Sequence, residues 1–115
     1  MNRPKKSEPN PATAVVTRDE VDQMSGPVVL EFGASWCGYC SITRPTVAEL
    51  RAKYPAIHYI WIEDGPGLPL GRSFRVKLWP TFVFLRDGKL VHRAVRPDEE
   101  QLVESFAKLA LNPEK

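Results

Sequence analysis

Three observations predict a three-layer α/β sandwich, a central mixed sheet flanked by helices. Short β-rich runs alternate with helical ones along most of the chain. One of these runs, Val28-Val29-Leu30-Glu31-Phe32, is apolar at every position but one, as in a central strand covered on both faces. Near the end, Asp87-Gly88 between two strand-like runs is a hairpin signal that closes the sheet antiparallel. The order read from these patterns is β-α-β-α-β-α-β-β-α, with parallel crossovers in the first half.

Residues 1–12 mix Pro4, Pro9 and Pro11 with Lys5, Lys6 and small polar residues, and read as a disordered tail. A single domain is expected over 13–115. Val15 and Val16 suit a short first strand. Thr17-Arg18-Asp19-Glu20 has the spacing of a capping box, opening a helix through Val21 and Met24 that stops before Gly26-Pro27. After the Val28–Phe32 strand, a helical pattern runs from Cys37 to Lys53, with Ile42, Val47, Ala48, Leu50 and Ala52 as its apolar positions. Pro45 lies inside it and predicts a kink or a restart. Ile57 to Ile62 reads as a strand, 64–69 as a loop on its Gly and Pro content, and Gly71 to Val76 as a short helix. Thr81–Leu85 and Lys89–Val95 form the hairpin. Pro97 and Asp98 then open a helix with Leu102, Val103, Phe106, Leu109 and Ala110 on one face.

Composition narrows the function. A chain of 115 residues with 43% hydrophobic and 26% charged content is an ordinary globular domain able to bury a core unaided. A net charge of +2 is too small to argue for nucleic acid or an acidic membrane as partner. No apolar run approaches the roughly 20 residues that span a bilayer. The start, MNRPKKSEPNPATA, has no apolar segment after its basic residues, so no signal peptide is read there and a cytoplasmic setting is expected.

Cys37 and Cys40 are the only cysteines. If Cys37 stands where the strand from Phe32 gives way to a helix, the unpaired N–H groups of the helix start favour its thiolate. Cys40 then lies one turn further in, at a Cα separation of about 5 Å that a disulfide can bridge. Cys37 can attack a partner's disulfide, and Cys40 can resolve the mixed disulfide. As a staple the pair is weak, because the loop it closes is nearly the shortest possible. Zinc needs further ligands, and only His58 and His92 remain, far apart in two predicted strands where each reads as an ordinary strand residue.

The segment Phe32, Trp36-Cys37-Gly38-Tyr39-Cys40 and Pro45 resembles the active-site segment of the thioredoxin superfamily. Trp79-Pro80-Thr81 resembles that family's X-Pro-Thr with its cis proline, and the Asp87-Gly88 hairpin and closing helix match as well. The resemblance covers roughly residues 14–111. It implies a thioredoxin-like fold and a thiol–disulfide oxidoreductase. Protein disulfides or dithiols would be its substrates, a reductase or oxidase would be its redox partner, and it would act as a monomer with no metal or organic cofactor. Cys37 would be the nucleophile, Cys40 the buried resolving thiol, and Glu31 the buried acid beneath them that exchanges a proton with Cys40. Trp36, Gly38, Tyr39, Trp79, Pro80, Thr81 and Val95 would line the substrate groove, and the backbone at Pro80 would pair with an extended peptide.

The sequence also departs from the family pattern. Tyr39 replaces a proline, Glu31 an aspartate, Ser41 a lysine, Leu78 and Val95 glycines, and Trp79 a smaller aliphatic, while the family's buried lysine aligns to Tyr59. A nearby positive charge is therefore expected to be missing. The altered groove leaves open an adaptor module that keeps the fold without turnover.

Overall fold

The computed structural model describes residues 16–111. Helices α1 (Arg18–Asp22), α2 (Gly38–Lys53), α3 (Pro69–Ser73) and α4 (Glu99–Leu111) alternate with strands β1 (Pro27–Gly33), β2 (His58–Glu63), β3 (Thr81–Arg86) and β4 (Lys89–Val95). The strands form one mixed sheet in the order β2-β1-β3-β4. β1 and β2 are parallel, joined through α2, while β3 runs antiparallel to both β1 and β4.

Alternation along the strands assigns the two faces. Val28, Leu30 and Phe32 of β1 pack with Val21 of α1, Leu70 of α3 and Phe74 just past the end of α3. Val29 packs with Val47 and Leu50 of α2 and Leu102, Phe106 and Leu109 of α4, joined by Phe82 and Phe84 of β3. The central strand is therefore buried on both sides, which explains its continuous apolar run and gives the expected three layers.

The helix ends follow local chemistry. The Thr17 hydroxyl accepts the Glu20 N–H at 3.1 Å, and the Glu20 carboxylate accepts the Thr17 N–H at 2.9 Å, completing the capping box. A second box opens α4, where Asp98 and Gln101 bond reciprocally at 2.8 and 2.9 Å. α1 stops at Asp22, short of Met24. α3 begins two residues earlier than expected, because Pro69 suits a first helical position, with its φ preset and no N–H to satisfy. It ends in a Schellman motif. Arg75 takes φ 57°, and its N–H and that of Val76 return to the carbonyls of Arg72 and Gly71.

Other expectations are corrected. Val16 is not in a strand, since it abuts the Thr17 cap and the chain turns straight into α1. Val15 and the expected 1–12 tail lie outside the described residues. α2 does not restart at Pro45, which sits on its exposed side. Its buried stripe is Cys40, Thr43, Val47 and Leu50, so Ile42, Ala48 and Ala52 face outward. On α4 the buried stripe is Leu102, Phe106 and Leu109, and Val103 and Ala110 are exposed.

The Asp87-Gly88 turn forms with both residues at positive φ, 52° and 79°. It is fixed to the start of β1, where the Asp87 carboxylate accepts the Gly26 N–H at 2.8 Å and the Asp87 N–H returns to Gly26. Only glycine fits at 88, because a Cβ there would lie 2.1 Å from the Asp22 carbonyl. Within the hairpin, Phe84 pairs with His92 but Leu85 pairs with Leu90, so Val91 is the extra residue of a bulge.

Candidate active site

β1 ends at Gly33, and three residues later the chain enters α2 with Cys37 as its N-cap. The Cys37 sulfur accepts the Cys40 N–H at 3.3 Å, taking the part that a Ser or Asp oxygen usually plays at a helix start. Burial opposes ionisation of Cys37. Hydrogen bonds from the Cys40 thiol and from the Cys40 and Tyr39 backbone outweigh it, and the Arg96 charge adds to them. The Cys37 thiol is thus held below the ordinary cysteine range.

Cys40 has the opposite environment. It is fully buried, packed with Ala34 and against Trp61 and Trp79. Burial, the hydrogen bond it gives Cys37 and the charges of Cys37 and Glu31 push its thiol well above the usual range, against a smaller opposing bond from Ala34. Gly33 makes room for it, since a Cβ there would come within 2.6 Å of the Cys40 sulfur and 2.7 Å of the Trp61 ring. Both cysteines are free thiols here.

Glu31 lies two residues before Gly33, on the same face of β1, and is only 3% exposed. Its carboxylate accepts a hydrogen bond from the Tyr59 hydroxyl on β2. Burial raises its pKa to about 7, while the Tyr59 bond and the charges of Arg44 and Arg51 pull it back. Tyr59 is itself pushed up by burial and by Glu31, and Arg51 lies 4.4 Å over its ring. The strand register accounts for the grouping. Glu31 pairs with Trp61 and Val29 with Tyr59, so Glu31, Gly33, Tyr59 and Trp61 project to the face that α2 covers.

The opposite wall is the loop before β3. The Trp79–Pro80 peptide is cis. The Trp79 carbonyl lies 4.0 Å from the Cys37 sulfur. The Trp79 indole is half-buried, meets Trp36 edge-on at 5.3 Å and donates to Asp64 at 2.9 Å, so it is both a groove wall and a packed aromatic. Trp36 is 77% exposed, and Gly38, Tyr39, Leu78 and Val95 are also exposed around the thiol. Thr81 is corrected here. It is fully buried, and its hydroxyl bonds the Leu78 carbonyl at 2.6 Å, so it braces the loop and does not reach the groove. Pro80 is buried as well, and its carbonyl accepts the Arg96 N–H at 2.8 Å.

The expected absence of a nearby cation is also overturned. Arg96, at φ 49°, lies with its guanidinium 4.0 Å over the Tyr39 ring and donates from Nε to the Trp79 carbonyl at 2.8 Å. The sequence reading passed over Arg96, Trp61 and Asp64, and took Tyr59 only as a lost lysine. Strand alternation could have found Trp61, which falls on the parity of Tyr59. His58 and His92 stand on strands at opposite edges of the sheet. Among the described residues no helix is long and apolar enough to cross a membrane.

This geometry agrees with the comparisons. The family model Thioredoxin matches residues 12–108. The chain is 32% identical over 83 residues to a thioredoxin H-type of Ricinus communis, covering 72% of this chain and 70% of that one. It is 35% identical over 83 residues to thioredoxin H-type 1 of Nicotiana tabacum, covering 72% and 66%. The solved structure of thioredoxin 2 from Pseudomonas aeruginosa in its reduced form is similar at 52% identity, with a TM-score of 0.75 over 86% of this chain and 92% of that one. With the fold, the thiol pair and these likenesses in agreement, the chain belongs to the thioredoxin family and is a thiol–disulfide oxidoreductase.

Proposed function

We propose that Cys37 and Cys40 carry the exchange, with Glu31 as the proton acceptor for the second step. The Cys37 thiolate attacks one sulfur of a partner's disulfide. A Cys37–partner disulfide forms, and the partner's other sulfur leaves as a thiolate and is protonated. Cys40 then gives its proton to Glu31 and attacks the Cys37 sulfur. The Cys37–Cys40 bond forms, the partner's second sulfur leaves and takes a proton, and the partner disulfide has gained the two electrons that the dithiol lost. Run backwards, the same steps oxidise a partner dithiol.

The observation that carries this reading is the opposed state of the two thiols. One accepts the Cys40 N–H at the start of α2 and is eased toward its thiolate, and the other is kept protonated in the core, where the charge of Glu31, itself raised to about 7, bears on it. No metal or organic cofactor enters any step. A separate reductase or oxidase resets the pair, the protein acts as a monomer, and the cytoplasm is its proposed compartment. Insulin reduction in the presence of dithiothreitol tests the exchange. Acceleration over the uncatalysed control is expected, and none would leave the adaptor reading, which the crowded Trp36–Trp79 wall and exposed Leu78 favour.

A further inference from the structure

Arg96 makes no bond and moves no proton in that exchange, yet it bears on three parts of the site. Its guanidinium stacks on Tyr39 between the two cysteines, its Nε holds the Trp79 carbonyl, and its charge bears on Cys37. It is exposed, and among the described residues no carboxylate pairs with it. An extended partner peptide needs a backbone acceptor on the groove edge. On that edge the Pro80 carbonyl accepts the Arg96 N–H, and the Trp79 carbonyl beside Cys37 accepts Arg96 Nε, so Arg96 competes with a peptide for both.

We propose that Arg96 selects partners by charge, admitting disulfides flanked by acidic residues in preference to basic ones. The inference rests on the exchange reading above. A guanidinium carries five donors in a planar fork, of which Nε–H is used on Trp79 and the ring face lies on Tyr39, leaving the terminal N–H groups for a carboxylate. A carboxylate beside the partner's cysteine pairs with that fork, draws it off the Trp79 carbonyl and frees the acceptor for the peptide's N–H. A lysine in its place is repelled and leaves the carbonyl covered. Arg96 is thus a specificity-determining residue, acting through like-charge rejection as much as through attraction.

The test uses two short peptides, Asp-Cys-Asp and Lys-Cys-Lys, each with its cysteine activated as a 2-pyridyl disulfide. Attack by Cys37 joins it to the peptide and releases pyridine-2-thione, whose absorbance gives the rate of the first step. Wild type is expected to favour the acidic peptide about tenfold, and Arg96→Gln to bring the two rates within about twofold of each other. Loss of the Arg96 effect on Cys37 itself changes both rates alike and cancels in the ratio. Lys108→Gln, on α4 and paired with Glu104, removes the same unit of charge away from the groove and is expected to keep the preference. Equal wild-type rates, a preference that survives Arg96→Gln, or one that Lys108→Gln abolishes equally would each overturn the proposal while leaving exchange standing. Failure of wild type to release thione from either peptide would overturn the exchange reading itself.

Discussion

At Cys37, a few hydrogen bonds, the first of them from the Cys40 thiol, set two chemically identical thiols apart. The helix start lowers one and the core raises the other, so iodoacetamide near neutral pH should label Cys37 first, as peptide mapping would show. Equal labelling would contradict the assignment. Cys37→Ser should abolish exchange, whereas Cys40→Ser should accumulate mixed disulfides. In the proposed mechanism Glu31 takes the Cys40 proton, so Glu31→Gln should slow the resolving step and leave the first attack nearly intact in stopped-flow traces. Tyr59 acts through Glu31. Its hydroxyl bonds the carboxylate and favours the ionised form, so Tyr59→Phe should move the pH midpoint of the resolving step upward from about 7. A purely structural Tyr59 would change the rate at every pH and leave that midpoint where it was.

At the scale of elements, the site is a junction of β1, the start of α2 and the loop before β3. Gly33 is the point of closest approach. Gly33→Ala would drive a methyl group into Cys40 and Trp61, and overpacking of this kind costs about 1–3 kcal/mol, readable as a lower urea midpoint together with impaired exchange. The start of α2 also bears on the redox balance. The N–H of Tyr39, which a proline there would lack, helps hold the Cys37 thiolate, and Arg96 supports it from the end of β4. Both stabilise the reduced form. The potential should therefore be less negative than a typical thioredoxin's roughly −270 mV by some tens of millivolts, and Tyr39→Pro should be more reducing than wild type. Equilibration with glutathione measures both. A wild-type value at or below about −270 mV would show that these contacts do not govern the potential.

For the molecule as a whole, the buried acid is a liability to stability. The unfolded Glu31 titrates near 4.5 and the folded one near 7. Between those values the folded chain holds a proton that the unfolded chain has released, so stability falls as pH rises through the window and stays lowered above it. The rise corresponds to about 3 kcal/mol. Glu31→Gln, which keeps an acceptor for Tyr59, should be about as stable as wild type at pH 4 and more stable at pH 8. Urea melts at the two pH values check this, and a gap that does not grow with pH would show that burial does not penalise the charge.

Local signals carried much of this protein. The capping box at Thr17, the helix start at Pro97-Asp98, the Asp87-Gly88 turn, the apolar β1 run and the Cys37–Cys40 spacing are readable from the sequence because each depends on residues within a few positions of one another. Glu31 stood out because a carboxylate in an apolar strand breaks its own local pattern. Helix faces were less legible. Ile42 and Val103 are apolar yet exposed, since apolar content alone does not say which side of a helix meets the sheet. What only the tertiary structure decided is the company each site residue keeps. Tyr59 meets Glu31 through the parallel register of β1 and β2, Asp64 reaches Trp79 across the α3 corner, and Arg96 lies over Tyr39 although 57 residues separate them. No periodicity encodes such contacts, because they arise when separate elements dock and their relative placement is set by the core they bury together.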